Sequence, residues 1–196
     1  TISVFGCAVP SASNRALVLA SNHEKAWSNG IDLDYIRSKG MAYLFDHFVP
    51  RLDGFLGRIA WLNLPTVACI SGNADGGGAL IASACDFRTM RADRGRICFP
   101  EIDLKLGLSP AMVECVNTLP NEQARWEMVM TGRALGGEEA AARQIVDRAL
   151  SAEALLPETL ALAAQLASKD RVAYTRLKRL LRPRWAKFAP QAKSAA

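Results

Sequence analysis

The stretch SGNADGGGALIASACD, Ser71 to Asp86, sets three consecutive glycines directly before an apolar run. Glycine-rich turns that open helices cradle phosphates, and two nucleotide motifs are built on such turns. A P-loop needs GxxxxGK[ST]; Gly72 and Gly77 have that spacing, but Gly78 stands where the lysine must be. A dinucleotide fingerprint needs GxGxxG; Gly76 and Gly78 supply the first two glycines, but Ile81 occupies the third place. Both fail at a residue that does chemical work. What remains is a strand, a glycine turn and a helix N-terminus. Such an end leaves backbone N–H groups without intrahelical acceptors, in the positive field of the helix dipole. It can hold a phosphate or a developing oxyanion. The alternative is that the glycines only permit tight strand–helix packing.

Glu101 sits in FPEIDLKLGLSP, Phe99 to Pro110. By itself it reads as a surface acid ending a strand. If it is a base, its apolar neighbours Phe99, Pro100 and Ile102 should raise its pKa by desolvation. Asp75, beside the glycines, is either a second acid or a local hydrogen-bonding residue of the turn. Asp86 ends the apolar run and suits hydrogen bonding better than catalysis. Asp103 and Glu114 read as structural or solvated. His23 precedes the segment around Asn29 but stands alone. The five cysteines (Cys7, Cys69, Cys85, Cys98, Cys115) form no CxxC pair, and the only histidines are His23 and His47. No metal site is expected from that set, and scattered cysteines in odd number fit a reducing compartment.

These groups need elements to position them. Ala16–Ser21 and Thr66–Ser71 read as buried strands. Leu33–Gly40 is a short helix capped by Asp32 or Asp34. Leu52, Phe55, Leu56, Ile59 and Leu62 recur at helical spacing, so Pro50–Leu62 is a helix with proline in its first turn. Gly78–Ala84 is a buried helix. Phe87–Arg91 and Arg96–Phe99 are strands around the polar turn Ala92–Gly95. Helices start near Pro110 and at Asn121, and Gly137–Arg143 is another. Ile145–Val146 is a short strand, and Pro157–Ser168 and Val172–Leu181 are closing helices. Trp27, Trp61, Trp126 and Trp185 are packing residues. Strands alternating with helices make an α/β protein.

At 196 residues, 50% apolar and 22% charged, the chain suits one globular domain. No apolar run reaches the roughly 18 residues of a membrane span, and no secretory signal is seen. The net charge is +5, and eight Lys/Arg with no acid follow Asp170, leaving −3 on the rest. Such a tail is either a solvated basic helix face or a nucleic-acid contact.

Four segments in order, AWSNGIDLD (Ala26–Asp34), LPTVACISGNADGGGALIASACD (Leu64–Asp86), FPEIDLKLGLSP and MTGRALGGEEAAARQIVD (Met130–Asp147), resemble the enoyl-CoA hydratase/isomerase, or crotonase, family. The match covers roughly Arg15 to Leu181. It implies a spiral of stacked ββα turns with a helical C-terminal region that forms trimers. The chain would be a single crotonase-like domain, 1–196, with a shortened N-terminal part. It implies an acyl-CoA thioester as substrate, so coenzyme A arrives with the substrate and no other cofactor or metal is needed. The backbone N–H groups of Asn29 and Gly77 would form an oxyanion hole for the thioester oxygen. Asn29, Gly30, Ile31, Asp32, Leu33, Gly77 and Pro100 would bind the substrate.

Hydratases of this family carry two glutamates. Leu80 occupies the place of the first and Glu101 that of the second. A single carboxylate is similar to the pattern of Δ3-Δ2-enoyl-CoA isomerases, in which Glu101 would move a proton from C2 to C4. A second isomerase branch places its glutamate at the position held here by Ala111 and does not match. The rivals are hydration or another acyl-CoA reaction, and a non-catalytic module binding RNA or protein through the basic tail. The expected assembly is a homotrimer or dimer of trimers, with no membrane or nucleic-acid partner, in cytoplasm or an organelle matrix.

Overall fold

A computed structural model describes residues 2–8, 15–23 and 25–189. From β2 onward its strands alternate between two sheets. β1 (Ile2–Ala8) is antiparallel to β2 (Arg15–Ser21), and β3 (Ala26–Ser28) begins the second sheet. After α1 (Leu33–Lys39) comes a continuous helical stretch: α2 (Met41–Tyr43), a π-turn Leu44–Phe48 and α3 (Val49–Ala60). Then follow β4 (Thr66–Ile70), β5 (Asn73–Asp75), α4 (Gly77–Ala84), β6 (Phe87–Arg91) and β7 (Ile97–Cys98). The rest is α5 (Pro110–Asn117), α6 (Glu122–Thr131), α7 (Gly137–Ala142), β8 (Arg148–Leu150), α8 (Ala152–Ala167) and α9 (Arg171–Leu181). One sheet has the order β1-β2-β4-β6-β8, the other β3-β5-β7. Each ββα unit therefore gives one strand to each sheet, and the units stack in parallel as a spiral.

Side-chain alternation divides the larger sheet into two faces. Val18, Val67 and Cys69 pack with Leu155, Ala163 and Ala167 of α8. Leu19, Ala68 and Ile70 face the main core with Leu56 and Ile59 of α3, Leu80 of α4 and Cys115 of α5. β4 is buried along its whole length, as a central parallel strand covered on both faces must be.

Local chemistry explains most boundaries. Asp32, Ser109 and Asn121 each accept a hydrogen bond from the third helical N–H, capping α1, α5 and α6. Phe87–Arg91 and Arg96–Phe99 hold strands as expected, β6 in one sheet and β7 in the other. Three expectations are corrected. Ile145 and Val146 are not a strand; they are buried in a turn, and the strand is Arg148–Leu150. α8 starts at Ala152 rather than Pro157, because Ser151 caps it and Leu155 and Thr159 anchor both sides of the proline. Trp126 is 68% exposed and is no core residue, whereas Trp27 and Trp185 are fully packed.

Candidate active site

The three strands of the smaller sheet end side by side, and each runs directly into one part of a cavity of about 240 Å³. β3 leads to Asn29, β5 to Gly76 and Gly77, and β7 to Pro100 and Glu101 in a 3-10 turn. Gly76 precedes the first turn of α4 and provides no side-chain cap. The Gly77 N–H, as the first of α4, has no intrahelical acceptor. Among the described residues, no protein acceptor takes the N–H of Gly77 or of Asn29. The two loops touch: a β-carbon on Gly30, whose φ is +81°, would lie 2.8 Å from both the Asp75 carbonyl oxygen and the Gly77 nitrogen. Glycine is required there by the approach and by the left-handed backbone together. Gly78 packs its α-carbon against the Ser28 carbonyl, where any β-carbon would collide. The triplet thus serves both purposes: Gly78 permits packing, and Gly77 presents an unused donor.

Glu101 is the one carboxylate among the described cavity-lining residues. Its Oε2 is buried with no hydrogen-bond partner among the described residues. Burial raises its pKa above the ordinary glutamate value, and a backbone hydrogen bond offsets part of the rise. The direction matches the sequence expectation, but the source differs in part. Phe99 is fully buried, Pro100 lines the cavity and Ile102 is 44% exposed. Leu80, Leu104, Leu106 and Met112 supply further apolar wall. Leu80, where a second glutamate would stand, is buried.

Of the other expected binding residues, Asn29, Ile31, Leu33, Gly77 and Pro100 line the cavity. Gly30 and Asp32 do not. Gly30 is the contact between the two loops, and the Asp32 carboxylate is occupied as the cap of α1, accepting from the Tyr35 N–H at 2.9 Å. His23 accepts from the Lys25 and Ala26 N–H groups, 3.1 Å each, and shapes the turn before β3. Asp75 is no second acid in the cavity, nor a purely local turn residue; it bonds across to Arg96 and Cys98. Asp86 accepts from the Thr66 N–H, Tyr174 and Lys178 and pairs with Arg182. No group of three or more potential metal ligands occurs among the described residues.

Sequence reasoning missed one wall. Leu44, Phe45, Phe48, Val49 and Leu52 line the cavity from the π-turn and the start of α3. The aromatic pair at i and i+3 was the available signal, but no spacing rule announces a π-turn.

A family model described as "Enoyl-CoA hydratase/isomerase" matches residues 2–195. "Enoyl-CoA delta isomerase 3" of Arabidopsis thaliana is 31% identical over 175 residues, covering 86% of this chain and 73% of that protein. "Carnitinyl-CoA dehydratase" of Escherichia coli K12 is 36% identical over 173 residues, covering 86% of this chain and 63% of that protein. In shape, the crystal structure of an enoyl-CoA hydratase, EchA3, from Mycobacterium ulcerans matches with a TM-score of 0.80 at 22% identity. That match covers 88% of this chain and 75% of the other.

Proposed function

The chain belongs to the enoyl-CoA hydratase/isomerase family of enzymes, and from that premise we propose that it moves a double bond from position 3 to position 2 of an enoyl-CoA. The observation that carries this reading is one carboxyl among the described cavity-lining residues, Glu101 with its Oε2 buried, in a mostly apolar cavity beside two unused backbone N–H groups.

The Glu101 carboxylate removes a proton from C2 of the substrate. The electron pair of that C–H bond becomes the C1–C2 π bond, and negative charge moves to the thioester oxygen. The N–H groups of Asn29 and Gly77 donate to that oxygen, and the conjugated dienolate forms. Glu101 then returns the proton to C4, and the double bond settles between C2 and C3. Removing one such N–H donor would cost about 2.7–4 kcal/mol of transition-state stabilisation. Asn29, Ile31, Leu33, Gly77 and Pro100 would contact the thioester end. Coenzyme A enters as part of the substrate, and the mechanism calls on no metal or redox group.

The raised pKa of Glu101 suits the work, because a stronger base abstracts a carbon-bound proton more readily. Hydration needs groups that both activate water and protonate carbon. Leu80 offers neither. The similarity to a dehydratase keeps that reaction as the second reading. The basic tail gives little support to nucleic-acid binding, because Arg171, Lys178, Arg179 and Arg182 are all bonded to protein groups. A homotrimer remains the expected assembly.

The test follows the purified protein with a 3-enoyl-CoA and, separately, a 2-trans-enoyl-CoA. Conversion of the first to the 2-enoyl product, lost in Glu101→Gln, is the expected result. Hydration of the second substrate, without isomerisation of the first, would establish the dehydratase-type reading instead.

A further inference from the structure

Asp75 is the last residue of β5, the central strand of the small sheet, with the Asn29 loop on one side and the Glu101 limb on the other. The strands are only two or three residues long, so few backbone bonds hold their ends in place. Between β5 and β7 two such bonds are the Ala74 N–H to the Arg96 carbonyl, 2.7 Å, and the Gly76 N–H to the Cys98 carbonyl, 3.0 Å. The Asp75 side chain adds a clamp over the same gap. Arg96 donates through Nε to Oδ1 at 3.1 Å and through Nη2 to Oδ2 at 2.9 Å. The Cys98 thiol donates to Oδ1 at 3.0 Å. Asp75 therefore holds the residue before β7 and the last residue of β7, and β7 leads within three residues to Glu101. On the other side, its own chain continues into Gly76 and Gly77, and its carbonyl lies against Gly30.

The clamp is well placed to be felt at the site. A β-carbon on Gly76 would lie 3.5 Å from Glu101 Oε1, so the two limbs are already near contact. Any slippage between β5 and β7 changes that spacing directly. The Asp75 side chain is 14% exposed, and its two partners take both carboxylate oxygens, so its contribution is to hold the strands and not to meet substrate.

We propose that Asp75 is a positioning residue for the proton transfer: by clamping Arg96 and Cys98 it fixes the distance between the Gly77 N–H and the Glu101 carboxyl. This rests on the reading of Glu101 as base. The oxyanion and C2 are joined through a single carbon, so donor and base must meet them at one fixed separation. A misplacement of about 1 Å can cost about 100-fold in rate.

The test is exchange of the C2 proton of a saturated acyl-CoA in D2O, read alongside kcat, KM and Tm. Glu101 removes the proton, a deuteron returns, and no chemistry at C4 is needed. Asp75→Ala is expected to lower exchange and kcat by about 10- to 100-fold with KM nearly unchanged. Asp75→Asn keeps one oxygen to accept from Arg96 Nε and Cys98 but sets an amide donor against Arg96 Nη2, so it is expected to fall between Asp75→Ala and the wild type. Wild-type exchange in Asp75→Ala, or a lower Tm with exchange per folded molecule intact, overturns the proposal. If Asp75→Ala does not fold, Arg96→Gln opens the clamp from the more exposed side, and wild-type exchange in that variant overturns it equally. Glu101→Gln is run in parallel. Exchange that survives in Glu101→Gln, or is absent from the wild type, defeats the base reading and this proposal together. Glu101-dependent exchange that ignores Asp75 defeats this proposal alone.

Discussion

The two ends of α4 present the same physical problem and receive opposite treatment. At its N-terminus the first N–H groups lack acceptors, the cap is a glycine, and no side chain steps in. At its C-terminus the orphan carbonyls are crowded with donors. Arg182 donates to the Ala84 and Cys85 carbonyls at 3.0 and 3.1 Å, and Arg88 to the Cys85 carbonyl at 3.2 Å. Asp86 beyond the helix end collects Lys178 at 2.9 Å, Tyr174 at 3.0 Å and Arg182 at 3.3 Å. All of these donors except Arg88 of β6 reach across from α9 and the residue after it, and they tie the C-terminal region to the core. The difference is instructive. Where the protein satisfies a helix end itself, that end is structural. Where it leaves donors unused beside a carboxyl with a buried, unpaired oxygen, the end is available to a ligand.

The comparison can be broken most decisively at Glu101. Glu101→Gln should lower kcat by about 10²–10⁴-fold, the usual contribution of a general base, while the protein stays folded. Near-normal turnover by a well-folded variant would remove the N-terminal end from the chemistry. The matching change at the other end is Lys178→Met. It leaves a buried aspartate short of a partner and should destabilise the fold by about 3 kcal/mol, at the low end of such losses because Arg182 remains. Thermal unfolding would measure this, and turnover per folded molecule should be preserved. Lost turnover at unchanged stability would make the C-terminal end functional. Arg182→Gln is milder, since Lys178 still holds Asp86; it strips donors from two buried carbonyls and one ion-pair contact from Asp86, and about 1–3 kcal/mol is expected.

The smallest effect is in the pH dependence. The folded pKa of Glu101 is raised, so over the window between its unfolded and folded values only the native state holds the proton. Stability therefore falls as pH rises through that window, and the full cost is present above it. Glu101→Gln removes the cost and should have a slightly higher Tm than wild type above the window, with the difference vanishing at acid pH. The activity of the wild type should show the opposite edge, because only the carboxylate acts as base. kcat should fall on acidification at a pH above the ordinary glutamate value.

Much of the fold was legible because short-range rules govern it. Asp32, Ser109 and Asn121 precede helices that need caps. The apolar period of Leu52, Leu56 and Ile59 gives α3, and the run TVACI gives a doubly covered strand. The misreadings have physical causes. Ile145 and Val146 have the composition of a strand, but burial in a turn satisfies that composition equally well. Pro157 looked like a helix start because local rules put proline there, whereas packing of Leu155 and Thr159 against the sheet sustains the helix through it. Lys178 looked like part of a solvated basic face, and it is 7% exposed only because Asp86, almost a hundred positions earlier in the chain, lies beneath α9.

The sequence by itself determined which groups could do chemistry: a glycine triplet that must open a helix, one glutamate after a proline, and a leucine where a second acid would stand. Those are properties of residue type and local spacing. Tertiary structure alone decided that Asn29, Gly77 and Glu101 meet, that Phe45 and Phe48 close a wall around them, and that Asp75 faces Arg96 and Cys98 and not the cavity. The physical reason is register. Three short parallel strands, drawn from positions up to about seventy residues apart, end together only because the larger sheet stacks their ββα units in step.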